Sequence, residues 1–69
     1  MARDERAIVK RQVEQNLSLM IGLANALKAF AAEKYFEKDS EKLMEMARKM
    51  AEMAMEFKRI YKNSELYSY

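Results

Sequence analysis

A chain of 69 residues with one Gly and no Pro, Cys, His or Trp has almost nothing from which to build tight hairpins or Gly-rich phosphate loops. The same absences exclude a catalytic triad, a thiol nucleophile and an ordinary zinc site, while 13 basic against 11 acidic residues leave a net charge of only +2. So short a chain buries a modest share of its surface, and without a disulfide or metal staple the remaining route to a larger core is self-association.

Asp4 and Glu5 supply the negative charge that a helix N-terminus favours, and the pattern behind them predicts a first helix over about residues 4–36. Along it Val13, Met20 and Leu27 form a column at heptad spacing, flanked by Leu17, Ala24 and Ala31 on one side and by Val9, Leu23 and Phe30 on the other. This is a wide apolar stripe, broader than a two-stranded coiled-coil seam. At its start Arg3, Arg6 and Lys10 continue the stripe as cations, with Arg11 beside them. They are a candidate contact for an acidic protein surface or for nucleic-acid phosphates, with Tyr67 and Tyr69 stacking nearby. The competing reading pairs them with Glu37, Asp39 and Glu41 in the turn of a second copy. Leu19, Ile21 and Leu23 with Gly22 make the middle of the helix apolar almost all round; the favoured reading is a helix central to a larger assembly, and the competing one makes Leu19 and Ile21 candidate protein-docking positions.

The small-x-small triplet Ala29-Phe30-Ala31 follows a mostly apolar stretch, but Asp4, Glu5 and Glu14 are wrong for the start of a secretory leader, and Asn25 and Lys28 interrupt its apolar part. No leader or membrane span is expected, and the expected location is cytoplasmic.

Glu37-Lys38-Asp39-Ser40 is the most polar stretch between the two stripes and predicts a turn at about 37–40, with Asp39 or Ser40 capping a second helix over about 41–62. There Leu43, Met50 and Phe57 form a second column, flanked by Ala47, Ala54 and Tyr61 and by Met46, Met53 and Ile60. The 16 residues from Leu27 to Leu43 would set the two stripes about 160° apart on one straight helix, so the chain must turn. Lys58, Arg59 and Lys62 suit a helix C-terminus, and residues 63–69 form a short tail.

Met44, Met46, Met50, Met53 and Met55 crowd the second helix. Because Met46, Met50 and Met53 fall on the stripe, filling an irregular core is favoured over Cu(I) ligation, and Met55, off the stripe, is expected to be exposed. Glu33 with Glu37, Glu41 with Glu45, and Glu52 with Glu56 are spaced for adjacency on a helix, yet none lies on the stripe and no His accompanies them. No metal or cofactor is expected. Glu45 with Lys49, and Glu56 with Arg59, read as surface ion pairs.

Folded as an antiparallel hairpin, the chain sets Leu27 opposite Met50 and Met20 opposite Phe57. Ala24 meets Ala54 and Ala31 meets Ala47 on a thin edge, and Leu23 meets Met53 and Phe30 meets Met46 on a thick one. A second hairpin would complete the walls, giving an all-α antiparallel homodimeric four-helix bundle in which Asn16, near Ile60, sets register. These small and large layers resemble, in architecture, the Rop family of plasmid-encoded helical hairpins, which dimerise into four-helix bundles and bind paired RNA loops. The resemblance covers length, hairpin and layering, and carries no motif or functional residue with it. The expected function is a non-enzymatic protein–protein interaction or regulatory module with self and another protein as partners. A nucleic-acid-binding regulator using the basic start comes second, and a subunit of a larger helical assembly third.

Overall fold

The computed structural model describes residues 4–69, which form two antiparallel helices, α1 (Glu5–Ala31) and α2 (Ser40–Lys62), joined by a 3₁₀ segment, Lys34–Asp39. Helix α1 begins where the Asp4 carboxylate accepts the Arg6 backbone N–H at 3.1 Å, satisfying one of the donors that every helix start leaves open. Glu5 and Glu41 lie in the first turns of α1 and α2, and Lys28, Arg59 and Lys62 lie in the last turns, so the helix dipoles are complemented at each end.

The connection corrects two expectations. Helix α1 stops at Ala31 instead of about 36, and the turn occupies residues 32–39 instead of 37–40. The ladder tightens at Ala32 and Glu33, whose N–H groups donate to the carbonyls of Ala29 and Phe30, and Glu33 is then extended (φ −81°, ψ 140°). This break turns Phe36 back onto Phe30, their ring centroids 6.1 Å apart. The Ser40 hydroxyl closes the loop by donating to the Ala31 carbonyl at 2.6 Å. Asp39 holds the N-cap position of α2 without a side-chain cap bond, so the polar residues at the joint tie α2 to α1 more than they cap it. No described residue has a positive φ, which is why the chain reverses without Gly.

The packing seam also differs from the expected one. Buried are Leu17, Ala24 and Ala31 in α1 and Ala47, Ala54 and Tyr61 in α2. In an antiparallel pair these positions fall opposite one another as 17 with 61, 24 with 54 and 31 with 47. The helices thus approach along the flank of small residues. The columns expected at the centre, Val13, Met20 and Leu27 with Leu43, Met50 and Phe57, are half-buried, and Leu23, Phe30, Met46, Met53 and Ile60 are exposed. Two helices alone gain most contact where Ala lets their backbones come close, and the bulky side chains are pushed to one side of the pair.

The outcome is a slab. Its Cα extents are 54 × 24 × 11 Å, so the short dimension is a single helix layer. Its radius of gyration is 15.9 Å, against about 11 Å for a compact chain of this length.

Candidate interaction face

One side of the slab carries a broad, continuous set of large apolar side chains. The α1 columns that open onto it are Val13, Met20 and Leu27, and Val9, Asn16, Leu23 and Phe30; those of α2 are Leu43, Met50 and Phe57, and Met46, Met53 and Ile60. These columns hold no charged residue from Val9 to Phe30 or from Leu43 to Ile60. Leu23 is 46% exposed, Met53 57% and Ile60 54%, so the face is open over its full width. Asn16 is its polar position, and its amide donates to the Gln12 carbonyl at 2.7 Å. The Phe30–Phe36 pair forms the turn end of the face.

The opposite side is a groove of about 580 Å³ over the Ala seam, with Ala24, Lys28, Met44, Glu45, Arg48 and Ala51 among its lining residues. Ile21 belongs here, beside Ser18, Lys58 and Tyr61. Leu19, two residues away and therefore about 200° around α1, stands on the other side of the helix, one turn from Leu23. The structure therefore does not bring the two proposed docking residues together: Leu19 extends the edge of the apolar face, and Ile21 lines the groove side. Gly22 is not a close-packing point in the hairpin, since a Cβ built there meets nothing within 4 Å. Met55 is 65% exposed, as its position off the stripe implies.

At the end remote from the turn, the tail folds back along α1. Lys10 Nζ donates to the Tyr67 carbonyl at 3.1 Å, and the Arg6 guanidinium lies 4.5 Å from the centre of the Tyr69 ring. The tail tyrosines do lie against the basic start, and they engage two of its cations within the same chain. Arg11 is exposed, and Arg3 lies outside the described residues. The Tyr61 hydroxyl donates to Glu14 Oε2 at 2.7 Å, and the Tyr67 ring meets the Tyr61 ring edge-on at 5.4 Å. Neither Glu14 nor the Lys10–Tyr67 bond was foreseen from sequence. The only available signal is that Glu14 stands one turn before Ser18 and Leu17, beside the flank that pairs with Tyr61.

Burial, reinforced by the hydrogen bond to the Glu14 carboxylate and its charge, pushes the Tyr61 phenol up to about 12 from an ordinary 10.0. In the unfolded chain the phenol ionises first, so Tyr61 stabilises the hairpin fully below pH 10, and that contribution is lost as pH rises through about 12. An alkaline titration followed by tyrosinate absorbance is expected to show one late-ionising phenol, and Tyr61→Phe is expected to remove that step. A titration unchanged by the substitution would refute the Tyr61–Glu14 contact.

On the surface of α2, Arg48 bridges Glu45 and Glu52, and Arg59 pairs with Glu56, holding the Glu45 and Glu56 carboxyls below their ordinary values through hydrogen bonding. The expected Glu45–Lys49 pair is the loose one, at 3.9 Å. All these groups are well exposed, so their contribution to stability is small. Among the described residues no group of three His, Cys, Asp or Glu side chains converges as a metal site, and no described helix is long and apolar enough to cross a membrane.

The chain matches no protein-family model, no curated protein and no solved structure. The functional reading therefore stands on the geometry of the two sides: one uncharged, apolar and broad, the other grooved and lined with mixed charge.

Proposed function

We propose that the chain is a cytoplasmic, non-enzymatic assembly and binding module: two hairpins close their apolar faces on each other as a homodimeric four-helix bundle, and the bundle binds another protein. The observation that carries this is the uncharged face of half-buried and exposed side chains from Val9 to Phe30 and from Leu43 to Ile60. Its cost in water supports the reading. The accessible surface is 5918 Å², whereas a folded monomer of 8.2 kDa has about 4,500 Å². The excess is on the order of 1,000 Å² or more, enough for one side of a stable dimer, which takes about 800 Å² per partner.

Folding coupled to association makes the melting temperature rise with protein concentration. Calorimetry at concentrations spanning two decades is expected to show that rise, and a midpoint independent of concentration would contradict it. A second reading draws on the gathering of Arg6, Lys10, Arg11, Lys58, Arg59 and Lys62 toward the end remote from the turn. Duplex RNA bound tightly at low salt, with affinity falling steeply as salt rises, would favour a nucleic-acid regulator over a protein-binding one.

A further inference from the structure

We infer that the groove over the Ala seam is where the protein takes its partner, and that the partner presents an amphipathic α-helix with apolar residues inward and carboxylates along its edges. This rests on the protein-binding part of the reading above and not on self-association, because both walls of the groove belong to one hairpin.

The floor of the groove is Ala24, Ala47 and Ala51, so no bulky side chain fills the space between the helices on this side. Its lining runs along α2 from Met44 to Lys62, a length of about 27 Å or five turns of helix. A third helix laid over two packed ones can touch both at the ordinary interaxial distance of about 8–10 Å. Ile21 on the α1 wall and Met44 on the α2 wall are each 44% exposed, and they give such a helix apolar contact on both sides. The Met side chain adapts to whatever shape meets it.

Charge decides which helix fits. Several carboxylates on this side are already engaged: Arg48 holds Glu45 and Glu52, and Glu14 accepts the Tyr61 hydroxyl. Among the described residues Lys28, Lys58 and Lys62 make no ion pair, and all three line the groove. In the register that pairs 24 with 54, Lys58 stands level with about residue 20 of α1, so Lys28 and Lys58 face each other diagonally across the groove, about 12 Å apart along its axis. That is two turns of a seated helix, and carboxylates two turns apart on its opposite edges would meet both ammonium groups. A nucleic-acid backbone fits less well, because Glu14, Glu41 and Glu45 also line the groove. A helix can set neutral side chains against them, whereas a phosphate chain repeats its charge at every step.

A fluorescein-labelled peptide of about 18 residues, long enough to span the groove, serves as the probe, with Leu and Ala inward and Glu on both edges. Anisotropy with the full chain is expected to show binding that weakens as salt rises, and much weaker binding of a counterpart with Lys on its edges. Lys28→Glu combined with Lys58→Glu is expected to weaken the acidic peptide by about tenfold or more, and to improve binding of the Lys peptide, a rescue that a merely structural effect would not give. Leu23→Glu with Met53→Glu, on the opposite side, is expected to leave the acidic peptide bound. Equal binding of the two peptides, no binding of either, or loss confined to the Leu23 and Met53 variant would overturn the groove as the site. Displacement of the acidic peptide by duplex RNA at low salt would assign the groove to nucleic acid and overturn it too. A native protein retained in stoichiometric amount by the Lys28 and Lys58 variant would overturn the groove while leaving the protein-binding reading standing.

Discussion

Replacing Leu23 and Met53 together by Glu is expected to turn the proposed homodimer into a folded monomer. Both side chains are about half exposed in the single hairpin, at 46% and 57%, so water solvates the new carboxylates there and the Ala seam is untouched. In the proposed bundle the same positions would lie at the middle of the shared face, and two carboxylates from each copy would meet there without cations. An unpaired buried charge costs several kcal/mol, and each 1.4 kcal/mol is a factor of about ten, so association is expected to weaken by about a thousandfold or more. Light scattering should show the mass halve while the helical circular dichroism persists. Met55→Glu, a change at a 65% exposed position off the face, should leave both unchanged. A double variant that keeps its mass would place the contact elsewhere.

Ala54→Leu is expected to have the opposite profile, damaging the hairpin itself. Ala54 is 2% exposed, the lowest value on the seam, and it stands opposite Ala24 there. Three added carbons have nowhere to go without separating them. Overpacking of this kind costs about 1–3 kcal/mol, and for a domain of this size each kcal/mol shifts the melting temperature by roughly 4–8 °C. A fall of roughly 5–20 °C is therefore expected in thermal melts, while Ala51→Leu, on the exposed lining of the groove, should change little. Equal effects at both positions would mean that the seam does not run through Ala54.

The contrast between these two variants follows a division that the sequence shows only in part. The stripes are legible because heptad spacing marks which residues share a side of a helix, and the phase offset between Leu27 and Leu43 demands a reversal. The pairing of Ala24 with Ala54 and of Ala31 with Ala47 follows from that reversal. Which flank becomes the seam does not, since periodicity fixes the width of a stripe but not the line of closest approach. Ala sets that line here, and the Met and Phe columns are left to one side. The end of α1 at Ala31 was hidden for another reason: no Gly or Pro marks it, and the break is held by Phe36 on Phe30 and by Ser40 on the Ala31 carbonyl, contacts that exist only once the chain has turned. The opposed positions of Leu19 and Ile21 are legible in their spacing, because residues two apart on a helix stand about 200° around it.

The apolar face is the candidate site, and its meaning depends on a second copy closing it. Sedimentation equilibrium of the unmodified chain over micromolar to hundred-micromolar concentrations tests this most directly. A helical species of twice 8.2 kDa is the result the proposed homodimer predicts. A helical species that stays at 8.2 kDa across the whole range would contradict it.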